Sequence, residues 1–279
     1  KILWAATAAV VALVGMFAAA NRIERSVEAL TYNDPVVYYQ QTAYQKVVLT
    51  DYQDDLRMYL NGQLQFSSLD EARYHETLSA SAMTSVKDPA HVLVLGGGDG
   101  LLAREILRYP SVKDVTIVDI DPGVTELARS NRLLKDLNKA SLSDPRVNVV
   151  NDDAFTYVRD SRATYDVVLV DLVDPSNEKL AKLYSTEFYR NVEARLAPEG
   201  VMVTQATSTF FSPHAFSTVA STVATSQPDR QILPFSTNIP SFGEWGFVLS
   251  TRTPQNLISQ PLPEGLTYQD RETLEFIMR

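Results

Sequence analysis

The sequence predicts an α/β protein, a doubly wound and mainly parallel sheet with helices on both faces and a small antiparallel sheet ahead of it. Three observations predict this. From His91 onward, short runs rich in Val, Ile and Leu alternate with helix-like stretches. The first of those runs stops at a glycine cluster, Gly96-Gly97-Gly98-Asp99-Gly100. The last two strand-like runs, near Gln231 and Gly246, follow one another without an intervening helix. Repeated strand–helix alternation gives a parallel sheet because each crossover helix covers one sheet face.

Residues 2–20 are apolar and uncharged, with Lys1 before them and Arg22 and Arg25 after them. That length is near what a helix needs to cross a bilayer. Three readings compete. Ala18-Ala19-Ala20 has the small residues of a signal-peptide cleavage site. A buried helix is the second. A transmembrane helix over 1–21 is favoured, because Trp4 lies near one end and arginines flank the other. The positive-inside rule then puts the following domain on the cytoplasmic side of the cell membrane. The chain begins with Lys, so a piece of a longer protein with further spans is expected.

Residues 22–40 read as a polar helix and linker. Runs at 45–50, 56–60 and 63–67 alternate as strands do, and Asn61-Gly62 between the last two is a hairpin signal. A helix is expected over 69–86, with Asp70 and Glu71 in its first turn. These elements make up a β-sheet and helix region over 41–89. Within 90–253, strands are expected at 91–95, 115–119, 147–151, 167–171 and 201–205, with a final hairpin of 231–235 and 246–250. A terminal antiparallel pair on a parallel sheet points, by analogy, to the methyltransferase-like (Rossmann-like) variant of the doubly wound fold. Residues 254–279 form a tail, Pro-rich at first.

The 279 residues are 45% hydrophobic and 21% charged, enough for one main domain with accessories. The net charge of −9 argues against nucleic acid and suits a cationic partner. With no cysteine and three scattered histidines, disulfides and Cys-based zinc sites are excluded and no metal is expected.

In open α/β sheets, ligands bind beyond the carboxyl ends of the strands. Here every such end carries an acid: Asp99, Asp119, Asp152-Asp153, then Asp171 and Asp174. Asp is common in turns for local reasons, which accounts for one or two of these. Carboxylates crowded round one cleft repel each other, and a cationic ligand relieves them. Gly96 and Gly98 let a ligand lie against backbone. Asp119 follows that loop by about twenty residues, the spacing of a carboxylate that grips ribose hydroxyls. Asp153 can accept from an adenine amino group while the Ala154 N–H donates to the ring. Asp99 disfavours a ligand carboxylate and welcomes an ammonium. Asp171 and Asp174 stand where a second substrate enters, and a carboxylate there can take the proton an amine must lose before it attacks.

These residues resemble the spermidine synthase (polyamine aminopropyltransferase) family. The matches run in order: Tyr44-Gln45, Leu60-Asn61-Gly62-Gln63-Leu64-Gln65, Asp70-Glu71 with Tyr74-His75-Glu76, the glycine loop with Arg104-Glu105, Val118-Asp119-Ile120-Asp121, Asp153-Ala154, Asp171 to Pro175, and Phe188-Tyr189. The resemblance implies transfer of the aminopropyl group of decarboxylated S-adenosylmethionine, a co-substrate, to putrescine or a related polyamine, releasing methylthioadenosine. It implies that Gln45, Asp119, Asp153 and Ala154 hold the adenosine part and that His75 and Asp99 hold amines. Asp171 would be the proton acceptor, Asp174 would bind the acceptor, and Tyr74 would position the attacking nitrogen. No prosthetic group or metal is implied, and a homo-oligomer, a dimer, is. The apolar N-terminus resembles a branch that joins membrane spans to the synthase domain. Three departures stand out. Asp119 replaces the usual Glu. Ser176-Asn177-Glu178-Lys179 replaces a Gly-Pro element. Phe242 replaces a usual tyrosine, with Glu244 nearby as a contact for a second amine. The alternatives are an S-adenosylmethionine-dependent amine methyltransferase and a non-catalytic, membrane-tethered polyamine-binding domain.

Overall fold

The structure, a computed structural model, describes residues 4, 9–10, 12–15, 31–175 and 178–278. Two thirds of the transmembrane helix expected over 1–21 falls outside these residues. Among the described residues, no helix is long and apolar enough to cross a membrane. The chain divides into two compact units, 1–67 and 68–279.

The first unit holds a four-stranded antiparallel sheet in the order β1 (Val36–Gln41), β2 (Lys46–Tyr52), β3 (Asp55–Leu60), β4 (Gln63–Ser67). The Asn61-Gly62 signal is realised: φ is +51° and +81°, the left-handed pair of a type I′ turn, which matches strand twist. The β2–β3 connection has the same geometry on Gln53 and Asp54, with φ of +52° and +64°. That pair lacks glycine, so composition did not announce it. Strand β1 takes up the end of the linker expected over 22–40, whose residues 22–30 lie outside the described residues. Its Val-Val-Tyr-Tyr run pairs with β2 through a bulge between Val36 and Tyr38, which breaks the alternation that marks a strand.

The second unit is a seven-stranded sheet. It uses β5 (His91–Gly96), β6 (Asp114–Val118), β7 (Val147–Val150), β8 (Tyr165–Asp171), β9 (Leu196–Ser208), β10 (Gln231–Ile239) and β11 (Gly243–Thr251), in the order β10-β11-β9-β8-β5-β6-β7. Strands β9, β8, β5, β6 and β7 run parallel, while β10 and β11 are antiparallel, as the sequence predicts. The strands alternate with α1 (Glu71–Met83), α2 (Leu101–Ile106), α3 (Pro122–Ser130), α4 (Arg132–Leu137), α5 (Ala154–Asp160), α6 (Glu178–Ala181), α7 (Thr186–Glu193), α8 (Pro213–Ser226) and α9 (Arg271–Ile277). Helix α1, expected with the small sheet, groups with this unit.

Central strands are apolar on both faces because helices cover both. Val92 and Val94 of β5 and Val167 and Leu169 of β8 enter one core; Leu93, Leu95, Val168 and Val170 enter the other. Each such side chain, fully removed from water, contributes about 1.5–3 kcal/mol. The tail after residue 253 is more than a tail. Ile258, Leu274 and Met278 join the first core, and α9 is capped by the Asp270 carboxylate on Thr273 N–H at 2.7 Å. Strand β5 is the switch point: the chain moves from it to β6 and β7 on one side, then returns to β8 on the other. The crevice that this creates lies beyond the carboxyl ends of β5 and β8.

Candidate functional site

Helix α1 supplies one wall, and its acids fix its orientation. Asp70 accepts from Ser241 N–H at 2.7 Å and Ser241 Oγ at 2.8 Å, tying the helix start to the β10–β11 turn. Glu76, 1% exposed, accepts from the backbone N–H groups of Thr267, Tyr268 and Gln269 at 2.7, 2.8 and 2.9 Å. A buried carboxylate needs such donors, and these anchor the C-terminal segment on α1. Between these anchors, the Tyr74 hydroxyl donates to Asp171 Oδ1 at 2.6 Å.

Strand β5 ends where Gly96 takes φ +88°, a conformation that disfavours a side chain. A Cβ there would stand 2.0 Å from the Asp171 carbonyl oxygen. At Gly98 it would stand 2.5 Å from Asp119 Oδ2, which instead accepts the Gly98 N–H at 3.0 Å. The two glycines therefore admit groups of the protein itself, a nearer reason for their presence than the expected ligand approach. Asp99 Oδ1 accepts from the N–H of Leu101, the first residue of α2, at 2.9 Å.

The acids form one electrostatic group. Burial, then repulsion from Asp99 and Asp121, pushes Asp119 up to about 6, against the N–H groups of Asp121 and Gly98. Burial, then the Asp99 charge, pushes Asp171 up to about 6, against His75 and the Tyr74 hydroxyl. Asp99 is raised by burial and by Glu71. Its charge is felt by both Asp119 and Asp171, so it links the two sides of the cleft. Burial also raises Asp174, opposed by Gln205 Nε2 at 3.2 Å and Thr207 Oγ1 at 3.1 Å. His75 is 3% exposed; burial pulls it down, but Glu71, Asp99 and Asp171 overrule burial and hold it at about 9. Chemically, this arrangement attracts cations, and it keeps a base near neutrality beside a hydroxyl that orients it.

Residues 71–260 match the family model for the spermine/spermidine synthase domain. The chain belongs to that family. Curated relatives include the polyamine aminopropyltransferase of Oceanobacillus iheyensis, 46% identical over 85% of this chain and 46% of its own length. Another is polyamine aminopropyltransferase 1 of Streptomyces coelicolor, 42% identical over 98% of this chain and 52% of its own. The chain thus spans about half the length of the curated relatives it matches. The spermidine synthase of Thermotoga maritima superposes with a TM-score of 0.79 at 25% identity, over 88% of this chain and 84% of that one. A spermidine synthase in complex with the transition-state analogue AdoDATO shares the fold, with a TM-score of 0.80 at 24% identity over 87% of this chain and 84% of that one.

The other expected site residues have protein partners or positions of their own. Gln45 belongs to the first unit, in the turn before β2, where its N–H donates to Thr42 Oγ1 at 3.0 Å. Asp153 Oδ1 caps α5 through Thr156 N–H at 3.1 Å, and its Oδ2 pairs with Lys182 Nζ at 2.6 Å. Burial opposes, but that pair and the cap hold its pKa below the usual carboxylate range. Ala154 is buried as the first residue of α5. Glu244 corrects the expectation of an amine contact. Strand alternation sends Trp245 and Phe247 to the core that holds Tyr74, and Val248 to the other; Glu244 follows Val248. Its Oε1 accepts from Ser236 Oγ at 2.6 Å.

Sequence reasoning missed Gln205, Thr207 and Trp245. Thr207 has φ +63°, rare for a β-branched residue. It sits in a bulge where Trp245 and Phe247 of β11 oppose Ser208 and Gln205 of β9. The bulge re-aims its hydroxyl at Asp174. Trp245 packs on Phe242 at 5.3 Å, and Phe242 on Tyr74 at 6.5 Å. Its buried indole N–H has no hydrogen-bond partner among the described residues. The aromatic segment around Phe242 was the available signal for Trp245; nothing in the sequence marked Thr207.

Proposed function

We propose that this chain is a polyamine aminopropyltransferase domain. It transfers the aminopropyl group of decarboxylated S-adenosylmethionine to putrescine or a related polyamine and releases methylthioadenosine. The observation that carries this reading is the Tyr74–Asp171 hydrogen bond of 2.6 Å within the acid group. Asp119, Asp153 and the Ala154 N–H take the nucleoside. Asp99 faces the aminopropyl ammonium; His75, protonated at neutral pH, does not itself hold it. Asp174 holds the far amine of the acceptor.

An ammonium cannot attack, so the reacting amine first gives a proton to Asp171. A carboxylate held near pH 6 is ionised at neutrality yet still basic enough to accept it. The freed lone pair then forms the new C–N bond at the aminopropyl carbon next to sulfur. The C–S bond breaks, its electrons neutralise the sulfonium, and methylthioadenosine leaves. The leaving group is already good, so alignment and deprotonation are what the residues must supply. Mass spectrometry of products from decarboxylated donor with a panel of diamines and triamines tests the reading. Preference for intact S-adenosylmethionine, giving methylated amines, overturns it. Methylthioadenosine binding without turnover favours a non-catalytic polyamine-binding domain.

The same reading includes a membrane anchor at residues 1–21, with the synthase domain facing the cytoplasm, and a homodimer. Supporting the anchor, the described residues of that run are helical and expose Trp4, Val10, Leu13 and Val14. Retention of the chain in membranes through a carbonate wash tests the anchor; release into the wash removes it. Sedimentation of the detergent-solubilised chain tests the dimer, and a monomer mass removes it.

A further inference from the structure

Two charged residues beside the cleft have no part in the mechanism above. Glu71 is 4% exposed and Arg104 lies on the neighbouring helix α2. Both Glu71 oxygens accept from Arg104 Nη2 at 2.9 Å. Arg104 is itself fixed by Glu105 Oε1 at 2.6 Å and the Leu137 carbonyl at 2.9 Å. One helical turn on, His75 Nδ1 meets Glu71 Oε2 at 2.8 Å and the Glu71 carbonyl at 2.9 Å. Both of these partners can only accept, so Nδ1 carries a hydrogen and Nε2 is the nitrogen that titrates.

The ring stands edge-on to Tyr74, centroids 5.0 Å apart, and Tyr74 holds Asp171. The charges that face the ring are Glu71 on α1, Asp99 from the loop after β5, and Asp171 at the end of β8. Arg104 of α2 acts on Glu71, and Glu105 of the same helix acts on Arg104. A buried histidine with no such neighbours would be neutral.

We propose that Glu71, braced by Arg104, is a positioning residue that locks His75 as a buried imidazolium, an internal counter-ion that keeps Asp99 and Asp171 ionised before any amine arrives. Without that cation, burial and the Asp99 charge would act on Asp171 unopposed by His75, and a protonated Asp171 could not accept the proton of an amine. The inference rests on Asp171 being the proton acceptor of the proposed reaction, but its electrostatic core does not need the reaction.

The test is therefore made first on the unliganded protein. Nitrogen-15 NMR of His75 should show an imidazolium throughout neutral pH, and a neutral ring at pH 7 overturns the proposal without any variant. Carbon-13 NMR of the aspartate carboxyls, assigned with Asp171→Asn, then follows Asp171. Its titration midpoint should move to higher pH in Glu71→Gln and in His75→Gln. It should stay in place in Glu76→Gln, whose carboxylate serves residues 267–269. An unmoved midpoint in the first two variants overturns the proposal, and either one suffices if the other fails to fold. The acid limb of kcat should move with the midpoint, each pH unit removing tenfold of the rate below it. Movement of the carboxyl titration in a chain that transfers no aminopropyl group sinks the reaction and leaves the counter-ion standing. Transfer with an unmoved titration and limb does the reverse.

Discussion

Asp119 and Asp171 lie on opposite sides of one crevice, and both are pushed up to about 6. They are held by different means. Asp119 accepts from the backbone N–H groups of Asp121 at 2.9 Å and Gly98 at 3.0 Å. Asp171 accepts from the side chain of Tyr74, 97 residues away in the chain. Asp174 likewise depends on side chains of β9, Gln205 and Thr207. Asp119 on the proposed nucleoside side is thus held by main chain, and the carboxylates of the proposed amine side by side chains. Main-chain donors fix a carboxylate's position whatever the neighbouring residues are. Side-chain donors can be exchanged, so they tune Asp171 and Asp174.

The largest expected effect falls on the amine side. Asp171→Asn should lose about 10²–10⁴-fold in kcat, since that is the usual worth of general-base assistance. Methylthioadenosine affinity should change little; a parallel loss of affinity would erase the distinction between the two sides. The same variant should gain thermal stability at neutral pH. A carboxyl raised from 3.8 to about 6 favours the folded state at low pH, and that contribution is lost as pH rises through this window. Equal melting temperatures of variant and parent at pH 7 would contradict the burial penalty.

Asp119→Asn comes next. It should weaken methylthioadenosine by about 10–100-fold, the worth of a charge-assisted hydrogen bond, and leave the acceptor KM in place. Tyr74→Phe is smaller, about tenfold in kcat at neutral pH, from loss of one hydrogen bond to a charged group. Its hydroxyl lowers Asp171, so its removal should move the acid limb of the rate to higher pH. An unmoved limb would mean that Tyr74 only packs. The smallest effect belongs to Lys182→Ala. Its exposed pair with Asp153 is worth about 0.2–1 kcal/mol, so isothermal titration should show no more than a few-fold change in nucleoside affinity. A large loss would mean that Lys182 itself holds the ligand.

How far each feature could be read in advance follows the same division. The parallel strands were legible because two-sided burial writes continuous Val and Leu runs, as in β5 and β8. The Asn61-Gly62 hairpin was legible because its φ values favour those residues. Strand β1 was hidden by its bulge, and the Gln53-Asp54 turn by its lack of a glycine. The acids at the strand ends were legible as a set. Glu244 misled because its place in the sequence, near Phe242, does not reveal which face of β11 it takes.

By itself the sequence determined the order of elements, the family motifs and the ring of aspartates, since each is written in residues close together along the chain. Only the tertiary structure decided which of those aspartates is buried and raised, which is a helix cap, and what holds each one. Electrostatic environment depends on burial and on partners such as Tyr74, Glu71 and Thr207, and those distances are set by folding rather than by neighbourhood in the chain.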